Sequence, residues 1–309
     1  MNDPLVTIAI PTYKSAFLKE SIQSALNQTY RNIEVIVVDD CSPEPIEPIV
    51  KSIIDNRLSY YRNEKNLGGE DPGKNWNKCL SLAKGEYFCL LCDDDMYEPT
   101  FVEEMLKLAE KYPHTSVFRS RVKVEDTSGN IIDMYPSSPE YESSANYMLD
   151  MCGGFRRQTI SEFMYRTDYI MSQGGYALLP KAMGSDHLTI FKLSENGGIA
   201  STIEPLVCFR SSTINLSGAG QNKKNIYEKI IACKMLTDYI LRLAEKEPED
   251  IRVLILKRRR IQHNQANVHE LTYSSLPQIV HLYKVRKKYD IADKSFIKGF
   301  INKIRNILR

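Results

Sequence analysis

The sequence predicts an α/β protein built on a doubly wound, mainly parallel sheet with helices on both faces, followed by a C-terminal helical appendage. Three observations carry this reading. Apolar runs of strand length alternate with helical repeats through the first 111 residues. One of those runs, Ile33 to Val38, is nearly continuously apolar, as expected in a parallel sheet covered on both faces, and Glu86 to Leu91 is a short apolar run of strand length that reads as a buried strand emerging at the sheet edge. From about Gln221 onward the pattern is helical to the end.

Taken in order, Leu5 to Ile10 is a strand that Pro11-Thr12-Tyr13 ends at a turn. Leu18, Ile22, Ala25 and Leu26 then recur with helical spacing. The strand Ile33 to Val38 ends in Asp39-Asp40-Cys41-Ser42. A helix around Ile46 to Ile54, a strand at Leu58 to Tyr61, and a helix from Lys74 to Ala83 lead to the strand before Asp93-Asp94-Asp95. A helix from Thr100 to Lys111 and a strand near Val117 follow. Residues 126 to 160, rich in Ser, Tyr, Pro and Gly, read as long loops. Gly184-Ser185-Asp186-His187 opens an amphipathic helix, and Ile199 to Phe209 forms one or two final strands. Beyond an Asn215-Leu216-Ser217 turn, helices are expected over Asn225 to Lys246, Glu249 to Glu270 and Pro277 to Lys288.

Composition sets bounds. With 309 residues, 42% apolar and 26% charged, the chain can bury a sizeable core. Its net charge of +2 is uneven: nine Lys or Arg against two Asp from Lys284 to Arg309 leave the preceding residues at −5. In the last segment Phe296, Ile297, Phe300, Ile301, Ile304, Ile307 and Leu308 recur at helical spacing among Lys294, Lys298, Lys303, Arg305 and Arg309. Such a basic amphipathic helix suits a membrane surface, or equally a helix docked on its own domain. An acidic body without a recognised motif argues against nucleic acid as a partner. Seven scattered cysteines suit a reducing compartment, and Cys89-x-x-Cys92, partly inside a strand, reads as core rather than a zinc site. The start shows no basic-then-apolar signal and no run long enough to span a bilayer, so a cytoplasmic protein, peripheral on the inner membrane face through its tail, is expected.

Polar groups gather where strands end: Thr12 and Tyr13, Asp39 and Asp40, Asn66, and Asp93 to Asp95. Open α/β sheets bind ligands at that rim. Three adjacent carboxylates repel one another unless a cation offsets the charge, and Mg²⁺ or Mn²⁺ with oxygen ligands is the natural partner. A solvated acidic turn at a helix start is the plainer alternative. Gly68 to Lys74 resembles a phosphate-binding P-loop, but Asn75 stands where Ser or Thr would ligate Mg²⁺; a loop over a ligand, hinged at glycines, fits better. Asp186 is either a favourable charge at a helix start or a general base delivered there.

Val6 to Tyr13, Val37 to Ser42, Asn75-Trp76-Asn77, Ala83 to Tyr87, and Asp93 to Asp95 with Pro99 together resemble, in order and spacing, the family 2 glycosyltransferases of the GT-A fold. The resemblance implies a Rossmann-like, mainly parallel sheet with residues 1–111 as a nucleotide-sugar-binding half, 112–220 as an acceptor-binding half and 221–309 as a helical region. It implies a nucleotide-diphosphate sugar donor and a glycan or lipid-linked acceptor in surface polysaccharide synthesis. Pro11, Thr12, Tyr13, Asp39, Asp40, Asn66, Asn77 and Asp93 would then line the donor site. Asp94 and Asp95 would hold Mn²⁺ or Mg²⁺, and Asp186 would be the base of an inverting transfer. Family alignment favours Asp93 at the ribose and Asp94 at the metal, whereas strand geometry alone pairs Asp93 with Asp95. Trp76, Tyr135, Arg156 and Arg157 are candidate selectivity contacts. A P-loop-like nucleotidyl- or phosphotransferase, and an inactive nucleotide-sugar-binding relative, are the alternatives.

Overall fold

The structure, a computed structural model, describes residues 3–212, 226–259, 279–280, 283–284 and 294–308. Within them the chain forms two compact units, Met1–Tyr147 with Arg156–Gln221, and Met148–Phe155 with Asn222–Arg309. The first contains the sheet.

Strands β1 (Val6–Thr12), β2 (Ile33–Asp39), β3 (Leu58–Arg62) and β4 (Tyr87–Leu90) form a wholly parallel half in the order β3-β2-β1-β4. Alternate residues Val6, Ile8, Ile10, Val35, Val37, Tyr87 and Cys89 share one core with Leu18, Ile22 and Ala25 of helix α1 (Leu18–Leu26), Ile46 and Val50 of α2 (Ile46–Lys51), and Phe101, Val102 and Met105 of a later helix. The intervening residues Ala9, Ile36, Val38, Phe88 and Leu90 are also buried, on the opposite face. Helix α3 (Pro72–Leu82) packs against β1, β2 and β4 and buries Cys79 and Leu80. Covering both faces explains why these strands read as unbroken apolar runs. Each fully buried aliphatic side chain contributes about 1.5–3 kcal/mol.

Gly85 shows why the turn into β4 has its sequence. A Cβ there would lie 2.6 Å from the Thr7 amide nitrogen, and the Gly85 N–H donates to Thr7 Oγ1 at 2.8 Å.

The second half is antiparallel at its join. After β5 (Met96–Tyr97) and α4 (Phe101–Lys111), β6 (Val117–Glu125) and the short β9 (Phe163–Arg166) complete the order β4-β9-β6-β10-β5, with β10 (Ile199–Arg210) parallel to β6. Residues 126 to 160 contain more order than their composition suggests. Asp126 accepts from the backbone of Ser128 and Asn130, closing a hairpin to β7 (Ile131–Met134). Strand β8 (Tyr141–Glu142) pairs with β10, and α5 (Ser144–Gly153) follows. Helices α6 (Thr167–Ser172) and α7 (Ser185–Ser194) lie between β9 and β10. The final expected strand is one element that shifts register around Pro205.

In the second unit, α8 (Ile226–Ala244), residues 249–259 and Lys294–Ile307 are helical. The Asn215-Leu216-Ser217 turn, residues 260–270 and most of 277–288 lie outside the described residues.

Candidate active site

Strand β1 lies between β2 and β4, so the chain leaves it toward one neighbour and later returns beside the other. That reversal opens a crevice at the carboxyl ends of the strands. Thr12 and Asp39 are register partners at that rim, and Leu91 donates to the Ala9 carbonyl at 2.9 Å, which carries Asp93 to Asp95 to the same edge.

The three carboxylates are used differently. Asp93 Oδ2 accepts from Thr12 Oγ1 at 3.0 Å, the Tyr13 N–H at 3.1 Å and the Lys14 N–H at 3.2 Å. Asp95, fully buried, accepts from Ser161 Oγ at 2.6 Å and from the Arg210 N–H at 3.1 Å, so each oxygen is held by the protein. Its carbonyl accepts from Ser21 Oγ at 2.7 Å. Asp94 is half-buried, and its carboxylate accepts from its own backbone N–H. Burial and then the neighbouring Asp93 charge push the Asp94 carboxyl up; burial and then Asp94 do the same to Asp95. Mutual repulsion of this kind is relieved by protons or by a cation.

Cys92, Asp94 and Asp95 can each bring one ligand atom within 4.8 Å of the others. Burial raises the Cys92 thiol well above its ordinary value, and a protonated thiol is a poor ligand. The carboxylate oxygens of Asp94 and Asp95 would suit a hard, oxygen-preferring ion better than the Cys92 sulfur would.

The other candidates divide. Asp39 accepts from the Ser42 N–H at 2.7 Å, from the Tyr60 hydroxyl at 2.6 Å and from Arg62. Asp40 accepts from Asn63 Nδ2 at 2.7 Å and from the N–H groups of Leu67 at 2.8 Å and Gly68 at 2.7 Å. Both are at the rim, and both anchor neighbouring loops. Pro11, half-buried, lies near the carboxyl end of β1, and Tyr13, exposed, follows that strand. Asn66 accepts from the Gly69 N–H at 2.6 Å. Asn77 bonds both backbone groups of Tyr176, accepting its N–H at 2.7 Å and donating to its carbonyl at 2.9 Å, so it fastens α3 to that loop. Of the selectivity candidates, Trp76 packs edge-on against Tyr176, and Arg157 lies over the Tyr135 ring while pairing with Asp133.

In the glycine-rich segment the N–H groups of Leu67, Gly68 and Gly69 already serve Asp40 and Asn66, and Lys74 pairs with Glu70. Asp71 caps α3 by accepting the Gly73 N–H at 2.9 Å, with Pro72 at the first helical position.

Asp186 stands in the first turn of α7, entered through Gly184 in the left-handed conformation at φ 81°. Its Oδ2 accepts from Gln158 Nε2 at 3.0 Å, and its Oδ1 meets His187 Nδ1 at 3.1 Å. Burial pushes this carboxyl up, but His187 and Gln158 outweigh it and hold the pKa at about 2. The segment Gln158–Ser161 joins the two acidic centres. Gln158 bonds Asp186, and Ser161, three residues on, bonds both Asp95 and the Cys92 N–H at 3.1 Å. Three residues span at most about 11 Å. Gln158, Ser161 and Arg210 were not singled out in the sequence, because short polar residues in a loop and an arginine ending a strand carry no periodic signal.

A model of the family described as "Glycosyl transferase family 2" matches residues 7–168. An uncharacterized glycosyltransferase of Rickettsia typhi is 39% identical over 115 residues, covering 37% of this chain and 35% of the relative. WcaA of Escherichia coli, named for colanic acid biosynthesis, is 32% identical over 148 residues, covering 45% of this chain and 51% of the relative. The chain thus spans about a third to a half of the length of these curated relatives. Residues 1–349 of Staphylococcus aureus TarS superpose with a TM-score of 0.68 at 18% identity, covering 95% of this chain and 80% of that one, a likeness of fold. Since the family match takes in more than half of its residues, this chain belongs to glycosyl transferase family 2.

Proposed function

We propose that the protein is an inverting glycosyltransferase. It moves a sugar from a nucleoside diphosphate donor, a UDP-sugar, to a hydroxyl of a glycan or lipid-linked acceptor in surface polysaccharide synthesis. The observation that carries this reading is one short segment bonded to both acidic centres. Gln158 donates to Asp186, which is held ionised, and Ser161 donates to Asp95 beside Asp94. Supporting it, TarS structures are described in complex with UDP and with UDP-GlcNAc, and WcaA is named for colanic acid biosynthesis.

The chain's own groups divide the work. The end of β1 fixes Asp93, which faces the nucleoside side of the crevice beside Thr12 and Tyr13. Asp94 offers its carboxylate to Mn²⁺ or Mg²⁺. When bound, that ion offsets the charge of the departing diphosphate. Asp186, ionised at neutral pH, accepts the proton of the acceptor hydroxyl as it attacks the anomeric carbon from the face opposite the leaving group, so configuration inverts. A phosphotransferase reading is disfavoured because the glycine loop's N–H groups are already engaged. Intact acidic clusters likewise disfavour an inactive relative.

A thermal-shift screen of nucleotide sugars with Mn²⁺ tests the donor class, since a ligand of the native state raises the melting point. Asp94→Ala should remove the Mn²⁺-dependent part of UDP affinity by calorimetry. An affinity equal to that of the unaltered protein, with and without Mn²⁺, excludes Asp94 as the ligand.

The peripheral membrane part of the reading rests on Lys294–Ile307. There Phe300, Ile301, Ile304 and Ile307 are exposed together with Lys298 and Arg305. No helix among the described residues is long and apolar enough to cross a membrane. The protein should float with anionic vesicles at low salt and be released at high salt, and Ile304→Asp should abolish flotation. Equal flotation with neutral vesicles, or an Ile304→Asp variant that floats normally, rejects this placement.

A further inference from the structure

Around Asp186 the hydrogen bonds have a fixed direction. An ionised carboxylate can only accept, so Gln158 must turn its amide nitrogen toward Asp186, at 3.0 Å. That leaves its amide oxygen facing away, and the Tyr147 hydroxyl donates to it at 2.5 Å. Tyr147 is fully buried, set edge-on against Phe191 of α7 and under the Arg119 guanidinium, so its hydroxyl has little freedom. A relay Tyr147–Gln158–Asp186 therefore fixes one carboxylate oxygen of the base from outside its own helix. The same segment continues into Thr159–Glu162, where Glu162 and Thr159 bond each other reciprocally and Ser161 reaches Asp95. Because both contacts belong to one stiffened turn, its position sets how far the base stands from the acidic triplet.

We infer that Gln158 is a positioning residue for the acceptor-side base, oriented by Tyr147 and coupled through Ser161 to the donor side. The inference rests on Asp186 being the base. Gln158 touches no reacting atom in this scheme. Gln158 holds Oδ2, while His187 meets Oδ1 through Nδ1 and donates its backbone N–H to the same carboxylate, so the relay governs where the lone pair left for the acceptor proton points.

The test uses the full chain with UDP-GlcNAc and UDP-glucose, Mn²⁺ and water as the acceptor, reading UDP release. Gln158→Leu should lower kcat by about ten- to a hundredfold with donor KM unchanged, as expected for a misplaced reacting group. Tyr147→Phe should give part of that loss. In the Gln158→Leu background it should add nothing, because both act through one contact. Gln158→Glu sets a second carboxylate against Asp186 and should move the acidic limb of the rate profile to higher pH. His187, Glu162, Tyr147 and Tyr165, the other titratable groups that act on Asp186, are unchanged in that variant.

A readout independent of turnover is the rate at which a carbodiimide couples an amine to Asp186 at mildly acidic pH, followed by peptide mass. Losing the Gln158 donor should speed this labelling. Additive losses for the two substitutions, or wild-type labelling in Gln158→Leu, overturn the inference. Asp186→Asn separates the two levels: if it retains UDP release, the base assignment falls and the inference with it. If it is inactive while Gln158→Leu is normal, only the inference falls.

Discussion

Asp186→Asn is expected to cut sugar transfer by about 10²–10⁴-fold while leaving UDP and Mn²⁺ binding intact. The amide keeps the shape and can still accept from Gln158, but it cannot take up a proton. It also loses its charge attraction to His187, which helps to hold the native carboxyl at about 2. With so low a pKa, the base is ionised throughout the neutral range. The rate should therefore be flat from neutral pH downward until well into acid, as far as this group is concerned. That position also limits the base: a weaker base gains less from proton transfer, so the contribution should fall toward the lower end of the range. Measuring transfer rate and UDP affinity on the same preparation decides the matter. An unchanged rate removes Asp186 from the role, and a parallel loss of affinity points to a collapsed crevice.

The parallel half of the sheet was legible because its physics is local and repetitive. The runs Ile33 to Val38 and Glu86 to Leu91 are apolar on both faces, and both appear as interior strands. The same holds for the place where Thr12, Asp39 and Asp93 meet, since strand ends in an open sheet converge by topology. What remained hidden depends on distant pairing. Strand β9 is only Phe163–Arg166, too short to show a period, and its place between β4 and β6 is decided by partners far along the chain. The hairpin at Asp126–Asn130 looked like a loop because its polar residues bond their own backbone. Within the site, sequence could place Asp94 and Asp95 side by side. It could not tell that Ser161 and Arg210 engage the Asp95 carboxylate, for those partners lie 66 and 115 residues from Asp95.

Arg119→Leu is expected to destabilise the fold by about 3–5 kcal/mol, the usual cost of leaving one member of a buried ion pair alone. Arg119 and Glu162 pair with almost no solvent contact, their side chains 2% and 0% exposed. Arg119 also donates to Ser138 Oγ at 2.8 Å and to the Arg157 carbonyl at 2.6 Å, so a single guanidinium ties β6 to the loops on both sides of α5. Burial pushes the Glu162 carboxyl up, and the Arg119 charge opposes that rise. Without Arg119, Glu162 should bind a proton in the native state well above the ordinary glutamate range. A native pKa raised above the unfolded value gives its full stability below the unfolded pKa and loses it as pH rises through the native one. The variant's deficit should therefore shrink in mild acid and grow toward neutral pH. Urea unfolding across that range provides the check. A loss independent of pH would mean that Glu162 is not the group left uncompensated, and the cost would then belong to the lost bonds at Ser138 and Arg157. The double variant Arg119→Leu with Glu162→Leu should recover part of the stability, because replacing both charges with apolar groups removes the uncompensated carboxyl. It should not recover transfer, since Glu162 also stiffens the turn that carries Gln158 and Ser161.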